Sequence, residues 1–252
     1  MLIVILLFVM ICFIIGFNIY FYLMNSYYLK PESNDMIIYY KFGLNDILNN
    51  KVANYAFKNS VYDLVLVNNP IIDNSSFIKG KSSLYFNGNK QYASIDPIKF
   101  SQNGLTIMGW FKFVSNDPYN FIFSFSYDAN NNLNITSNML AIAQGTNIND
   151  VNNRFYNFKQ NYSDNNWHHV TLTMTYSPFK IATSTANVYI DNKLEISILD
   201  SFYPNTSLIF KKNYINNTIV LHNYITKICN INDFRMYNKV LTQSEITSIY
   251  IE

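Results

Sequence analysis

Carboxylate side chains are the first candidates for chemistry, because hydrolysis of a glycosidic bond needs two carboxyl groups facing one substrate. On a β-strand, residues i and i+2 share a face, so a Glu and an Asp two positions apart could form such a pair. The four Glu of the chain are Glu32, Glu195, Glu245 and Glu252, and none lies two residues from an Asp. The sequence therefore predicts a protein without a hydrolytic site, and we expect no enzymatic activity.

Two adjacent histidines, His168 and His169, follow Trp167. Neighbouring side chains of a strand point to opposite faces, so this pair cannot chelate one ion together. A zinc site would need further nitrogen, sulfur or oxygen ligands that this segment does not supply. We therefore expect both histidines to be structural.

The segment 128–132 has the D-x-N-x-N spacing of a calcium-binding loop. It lacks the glycine and the distal bidentate Glu of such loops, since the twelfth position is Met139. An Asn-rich hairpin loop is the better interpretation, and its amides, together with loop tyrosines, could contact a bound ligand. The candidate ligand-binding residues are Tyr119, Tyr127, Asp128, Asn130 and Asn132.

Composition excludes several classes of protein. The 252 residues are 49% hydrophobic and 13% charged, with a formal net charge of +2, which excludes a disordered chain and gives no basic run for nucleic acid. Two cysteines exclude a disulfide scaffold or a Cys-rich zinc module. Asn, Ile, Lys, Tyr and Phe make up about half of the chain. Their codons are rich in A and T, which indicates an AT-rich genome, such as that of a large DNA virus or a protist.

Residues 1–24 carry no charged side chain. As a helix they would span roughly 36 Å, enough to cross a bilayer core of about 30 Å. A cleaved signal peptide is disfavoured, because no Lys or Arg precedes the run and no small-x-small cleavage site follows it. The sequence predicts a single-pass anchor in a cell-surface or virion membrane, with the lipid bilayer as a partner. Its sidedness stays open: Lys30 and Lys41 weakly favour a cytosolic C-terminal domain.

Residues 25–35 form a polar linker, and 36–252 predict one all-β domain of short apolar and aromatic strands between Asn-rich turns. The run 170–175 alternates without a fault, which predicts one buried and one wet face. Thr242 and Glu245 form a capping box for a short terminal helix, with Leu241 and Ile246 as a hydrophobic staple. The other predicted strands are 83–86, 91–95, 105–113, 186–190 and 193–196, the last two joined by a two-residue turn at Asp191-Asn192.

Six short motifs follow one another in the order of a known family. They are IIYYKF at 37–42, GKSSLYFNG at 80–88, LTIMGW at 105–110, NWHHVT at 166–171, VYIDN at 188–192 and INDFRMY at 231–237. This series resembles the laminin-G-like (pentraxin-type, concanavalin A-like lectin/glucanase) jelly-roll domains over nearly all of 36–252. The resemblance implies a two-sheet antiparallel jelly-roll sandwich in which the last strand lies beside the first. It also implies core roles for Trp110 and Trp167.

The same resemblance implies a structural calcium ion as the possible cofactor. If the first and last strands pair, its ligands would be Asn45, Asp46 and Asp233. Three departures weaken this expectation: Gly43 stands where many relatives carry an Asp, the hairpin has Asp191-Asn192 rather than Asn-Gly, and the closing strand has one carboxylate where two are common. One or two carboxylates would bind calcium weakly.

The fold hosts lectins, adhesion modules, glycosidases and structural subunits, so it does not by itself decide function. We expect a non-catalytic, membrane-anchored module that binds a glycan or protein at a membrane surface. The alternative is a structural component of a membrane-containing virus particle, with capsid proteins as partners. A glycoside hydrolase is the least favoured of the three, because the carboxylate pair is missing.

Overall fold

Short alternating runs form the strands, as their periodicity predicts. A computed structural model describes residues 35–56, 62–80, 82–95, 104–113, 121–128, 131–144, 152–175, 184–200, 218–221 and 228–252. Within these ranges the elements are β1 (Met36–Tyr40), β2 (Ile47–Leu48), β3 (Lys51–Val52), β4 (Leu64–Val67), β5 (Ile71–Asp73), β6 (Ser83–Asn87), β7 (Tyr92–Ile95), β8 (Leu105–Phe113), β9 (Phe121–Asp128), β10 (Asn131–Thr136), β11 (Met139–Gln144), β12 (Asn152–Asn157), β13 (Trp167–Met174), β14 (Ser184–Ile190), β15 (Lys193–Asp200), β16 (Thr218–Leu221), β17 (Ile228–Tyr237) and the helix α1 (Gln243–Ile251).

These strands form two antiparallel sheets. Sheet A has the order β15-β14-β13-β8-β17-β6-β5, with β1 also paired to β17, and sheet B has the order β12-β11-β10-β9-β16-β7-β4-β3-β2. One hydrophobic core lies between them, with Phe111 and Val170 from sheet A and Ile95 and Phe123 from sheet B, each at most 1% exposed. The predicted all-β sandwich is therefore confirmed, and its two sheets are consistent with a concanavalin A-like jelly roll.

The hairpin between β14 and β15 forms as predicted. Asp191 and Asn192 have φ angles of 49° and 63°, the left-handed values that a two-residue type I′ turn requires. The predicted strands 83–86 and 91–95 form as β6 and, from Tyr92 onward, as β7, but β6 belongs to sheet A and β7 to sheet B. Gln91 stabilises this crossing, since its side chain accepts from Asn87 N at 2.6 Å and donates to Asn69 O at 2.8 Å.

The prediction of a wet face on 170–175 is wrong for Thr171 and Thr173, which are 0% and 2% exposed. Helix α1 covers the outer face of sheet A. Met108, the cross-strand neighbour of Thr171, forms a second apolar cluster that includes Ile246 of α1. Alternation along a strand identifies its two faces, but it does not show whether another element buries the second one.

The first and last strands pair as the resemblance implies. Ile38 lies opposite Met236, and Tyr40 lies opposite Phe234. Strand β17 is not at an edge, because β8 pairs with its other side. Along the side shared with β1, its first half pairs instead with β6, from Ile228 to Ile231. The two partners therefore part near the middle of β17.

The predicted anchor, residues 1–24, and most of the predicted linker lie outside the described residues. Across the part of the chain that the structure describes, no helix has both the length and the apolar character needed to cross a membrane.

Candidate ligand-binding cleft

A polar cleft of about 460 Å³ lies where β1 and β6 part along β17. It is on the outer face of sheet A, beside the end of α1. Its lining residues are Tyr39, Lys41, Ile78, Lys79, Gly80, Asn232, Asp233, Arg235 and Glu252. We call this the β1–β17 cleft. Four segments that are distant in sequence build it, so the register of the sheet decides its existence.

Asn232 holds one wall of the cleft in place. Its side-chain oxygen accepts from Lys79 N at 2.8 Å, and its amide nitrogen donates to the carbonyl oxygens of Lys79 and Ser82 at 3.0 and 2.8 Å. The side chain is fully buried, and these three bonds satisfy it within the protein. Asn232 therefore positions the segment before β6 and is not a free recognition group.

Asp233 and Arg235 form the centre of the cleft. On the β8 side, Asn232 pairs with Trp110 and Arg235 with Met108, so β17 carries one extra residue at this point. Asp233 takes up this bulge with a φ of 50°, a left-handed value that Asp tolerates better than most residues. Arg235 Nε and Nη2 donate to the two oxygens of Asp233 at 2.9 and 3.0 Å. The bulge lets two residues at i and i+2 form a planar, two-point ion pair.

Burial lowers the pKa of Arg235, but the hydrogen bonds and the charge of Asp233 outweigh burial, so the net pKa lies above its ordinary value. The third nitrogen of the guanidinium, Nη1, donates to Glu252 Oε2 at 2.9 Å. The two carboxylates differ in environment: the Asp233 side chain is 7% exposed and that of Glu252 is 55% exposed. Arg235 therefore holds one carboxylate inside the protein and one at the surface.

Two lysines flank this centre. Lys79 Nζ donates to Ile249 O in α1 at 2.6 Å and lies 3.5 Å from Asp233 Oδ2. Lys41 Nζ lies 5.2 Å from the ring centroid of Tyr39 and 4.6 Å from that of Tyr55. Among the described residues, Lys41 forms these two cation–π contacts and no ion pair. Its ammonium group is thus the cation of the cleft with the most spare hydrogen-bonding capacity.

Tyr39 forms the floor between Lys41 and Arg235. It pairs with Arg235 across β1 and β17, and the guanidinium carbon lies 4.7 Å from the centroid of its ring. Burial, followed by the charge of Asp233, raises the pKa of the Tyr39 hydroxyl. The ring therefore stays neutral at physiological pH and stabilises the cations by its π-face.

The cleft holds charged groups of both signs. Three cationic side chains, Lys41, Lys79 and Arg235, face two carboxylates, Asp233 and Glu252. Both carboxylates accept hydrogen bonds from one guanidinium, whereas a hydrolase needs one carboxyl group as a proton donor. This geometry suits binding better than acid–base catalysis.

The three predicted calcium ligands do not share a site in this arrangement. Asp46 accepts from Gly43 N and from the Tyr55 hydroxyl, each at 2.6 Å, and the bond from Tyr55 is the main reason that the pKa of that tyrosine rises to about 12. Asp233 is neutralised by Arg235, and Asn45 is an exposed loop residue. Within the described ranges, no three His, Cys, Asp or Glu side chains are grouped as metal ligands. The residues present do not fit calcium, and the ion stays a prediction that this geometry does not support.

Gly43 explains one departure from the family pattern. A Cβ atom added there would lie 3.0 Å from Asp46 Oδ1. Asp46 folds back over this position and bonds the Gly43 amide. A larger residue at 43 would disturb that turn.

The predicted ligand-binding residues that the structure describes lie in the other sheet from the β1–β17 cleft. Tyr119 and Asn130 lie outside the described residues. Tyr127 and Asp128 end strand β9, and Asn132 lies in β10, in sheet B. The cleft is in sheet A, so the structure does not bring these positions to it. Their role in binding stays a prediction.

The two histidines make different contacts, in line with their predicted structural roles. His168 Nδ1 lies 2.8 Å from Asp191 Oδ2, and Nε2 lies 3.0 Å from Asp164 Oδ1. Burial lowers the pKa of His168, but the bonds to these two carboxylates raise it further, to a net value above the ordinary one. His169 is buried against Trp110, and burial lowers its pKa to about 4.

Trp110 has the predicted core role. It is 6% exposed and stacks on Tyr250 of α1, with centroids 5.3 Å apart. Its indole Nε1 has no hydrogen-bond partner among the described residues. Trp167, which had the same prediction, is only partly buried. Neither tryptophan lines the cleft.

Sequence reasoning missed the cleft residues Tyr39, Lys41, Lys79, Arg235 and Glu252. One signal was present: Arg235 is one of only two Arg in the chain and lies within the closing motif at 231–237. A charged residue between the buried positions Phe234 and Met236 must find a partner on the opposite face. The identity of that partner depended on the bulge.

Two antiparallel sheets packed around one core place the protein among the lectin-like β-sandwich folds. A laminin G family model, described as the concanavalin A-like lectin/glucanases superfamily, matches residues 87–247. The chain belongs to this superfamily. No curated protein matches the sequence.

Several solved structures share the fold. One is botulinum neurotoxin type C, in a structure that concerns its interaction with two ganglioside molecules, at 17% identity and a TM-score of 0.57. Another is the receptor-binding domain of the C/D mosaic serotype, at 14% identity and a TM-score of 0.58. A third is the binding domain of botulinum neurotoxin DC in complex with rat synaptotagmin II, at 17% identity and a TM-score of 0.55. Each match covers 86% of this chain and 51% of the other, so the chain spans about half the length of these neighbours.

Proposed function

We propose that this protein is a non-catalytic binding module whose glycan ligand occupies the β1–β17 cleft. The observation that carries the proposal is Lys41, an exposed cation at the cleft that has only aromatic partners in the described structure. Ile78, 44% exposed, adds an apolar surface at the same cleft, against which the C–H face of a sugar could pack. A few directed polar groups beside apolar surface are typical of ligand sites.

The neighbours in fold support a partner of this kind. Their structures concern interactions with ganglioside molecules and, in another case, with synaptotagmin II, so both a glycan and a protein are bound by proteins of this fold. We favour the glycan, because the cleft is concave and small. An interface with a protein would need a larger surface, about 800 Å² on each partner.

Membrane attachment through residues 1–24 completes the proposal, as the uncharged run predicts. Several copies anchored in one membrane can bind several ligands on an opposing surface at once, so a modest affinity for each cleft suffices.

The test is a glycan array probed with the full chain and with Gly80→Asn. Gly80 lines the cleft, and a Cβ added there meets no atom within 4 Å, so an Asn side chain has room at the cleft wall. Asn also adopts the φ of 72° at this position more readily than most residues. We expect the wild type to bind at least one glycan, Gly80→Asn to lose it, and mass spectrometry to find the glycan intact after incubation. Binding that survives Gly80→Asn, with folding verified by circular dichroism, would move the site elsewhere. Cleavage of the glycan would show an enzyme.

A further inference from the structure

Arg235 binds Glu252 less firmly than it binds Asp233. Asp233 receives two hydrogen bonds from Arg235 and is also 3.5 Å from Lys79, whereas Glu252 receives one bond, from Nη1, and is 55% exposed. An exposed ion pair with a single hydrogen bond contributes little to stability. The Glu252 carboxylate is therefore the partner of Arg235 that a ligand could replace.

The position of Glu252 is also unfavourable for a carboxylate. Glu252 is the C-cap of α1, where the free carbonyl groups carry partial negative charge, and the last turn has no basic residue of its own. A carboxylate is disfavoured at this end of a helix. Arg235 offsets that cost, and Lys79 does so from another direction by donating to Ile249 O.

The guanidinium provides the chemical specificity. Its plane is fixed by the two-point bond to Asp233 and by its contact with the ring of Tyr39, so Nη1 points at Glu252 without rearrangement. A carboxylate that replaces Glu252 keeps Arg235 fully paired, and Glu252 itself returns to water. The exchange leaves no buried charge without a partner, which is the condition for a low cost.

Lys41 gives the carboxylate of a ligand an advantage over the Glu252 carboxylate of the protein. Its ammonium group lines the same cleft and has no ion-pair partner in the described ranges, while Glu252 is already bound to Arg235. A ligand with its carboxylate at Arg235 could place its hydroxyl groups or a second acidic group near Lys41. Charge-assisted bonds of this kind are stronger than those between neutral groups.

We propose that the cleft is selective for a carboxylate-bearing saccharide, which displaces Glu252 from Arg235, and that Glu252 is an internal competitor for that ligand. This inference rests on the proposed function, since it assigns the ligand class of the same cleft. It predicts that removing the Glu252 charge strengthens binding, which is the opposite of what a residue contacting the ligand would show.

The experiment is calorimetric titration of the full-length chain, purified in mild detergent, with trigalacturonate and with its fully methyl-esterified form. Esterification keeps the sugar and removes the charge. We expect the acid to bind at least tenfold more tightly than the ester. Glu252→Gln should bind the acid about two- to fivefold more tightly than the wild type, the range that an exposed ion pair allows. Lys41→Met should bind it more weakly, whereas the matched control Lys193→Met, an exposed lysine on β15, should leave the affinity unchanged.

The outcomes separate the inference from the proposed function. Equal binding of acid and ester, abolished by Gly80→Asn, would overturn the carboxylate selectivity and leave the glycan cleft in place. Unchanged or weaker binding in Glu252→Gln would overturn the competitor role. If neither saccharide binds and no glycan of the array is lost in Gly80→Asn, both the inference and the proposed function fail.

Discussion

Asp233 and Arg235 are two residues apart on β17, and their side chains meet in a two-point ion pair with donor–acceptor distances of 2.9 and 3.0 Å. In a regular strand such residues point the same way without meeting head-on. Here the bulge and the left-handed backbone of Asp233 turn its carboxylate onto the guanidinium. The pair shapes the cleft and also anchors the place where β17 changes partner from β6 to β1.

The first prediction concerns this pair. Asp233→Asn keeps the size of the side chain and the tolerance for positive φ, but leaves Arg235 without its buried counter-charge. Breaking a buried pair in this way costs about 3–5 kcal/mol in the free energy of unfolding. Urea titration followed by circular dichroism measures it. Glu252→Gln is the matched control, because it removes the exposed carboxylate of the same arginine and should cost less than about 1 kcal/mol. Equal losses of unfolding free energy in the two variants would show that burial does not make the Asp233 contact the stronger one.

The second prediction concerns His168. A neutral imidazole has one N–H, so hydrogen bonds to both Asp164 and Asp191 require the protonated ring. The pKa of His168 is raised in the folded state, so its stabilising contribution is complete below about pH 6.5 and is lost as pH rises through the folded value. The melting temperature should fall from pH 6.5 to pH 9, and the fall should be smaller in His168→Gln. An identical alkaline slope in that variant would show that the two bonds are not coupled to folding.

The third prediction concerns His169, whose pKa is shifted in the opposite direction from that of His168. Its pKa is lowered to about 4 by burial, so folding requires the neutral ring, and stability is lost as pH falls from about 6.5 towards 4. The loss should be on the order of 3 kcal/mol. His169→Phe keeps an aromatic ring beside Trp110 and should flatten this acidic limb in the same melting experiment. The alkaline limb, set by His168, should remain; its disappearance together with the acidic limb would show that the two rings do not titrate independently.

The cap of α1 provides a fourth prediction. Thr242 Oγ1 accepts from Glu245 N, and the Glu245 carboxylate accepts from Thr242 N at 2.7 Å, so the predicted capping box is complete. Thr242→Ala should cost about 1 kcal/mol. Because Tyr250 of α1 stacks on Trp110, loosening of the helix should also change tryptophan fluorescence. Ser248→Ala, an exposed change in the same helix, is the control and should alter neither signal.

The fifth prediction concerns the anchor. An uncharged run of 24 residues should insert into a bilayer, so alkaline carbonate extraction should leave the full chain with the membrane pellet. A chain that begins at Asn25 should be released into the supernatant. Recovery of a mature form that begins near residue 25 would contradict an uncleaved anchor.

The sequence by itself determined the features that depend on neighbouring residues. The run at 105–113 is apolar on both faces, as a central strand between two packed layers should be, and Ile107 and Met108 of β8 indeed belong to different clusters. The turn at Asp191-Asn192 and the cap at Thr242 were also readable, because a left-handed turn and a helix N-terminus each need particular residue types within four positions. The ordered motifs predicted the family and the pairing of first and last strands.

Only the tertiary structure decided the cleft. Tyr39, Lys79, Arg235 and Glu252 are brought together by strand register and by the docking of α1, and no local pattern encodes those distances. The same docking buried Thr171, which alternation alone had placed in water. The bulge at Asp233 came from a mismatch between β17 and β8, which arises only when the two strands pair. Turns and helix caps depend on residues that are close together in the sequence. The partner of a buried charge depends on residues that come together only when the sheets form.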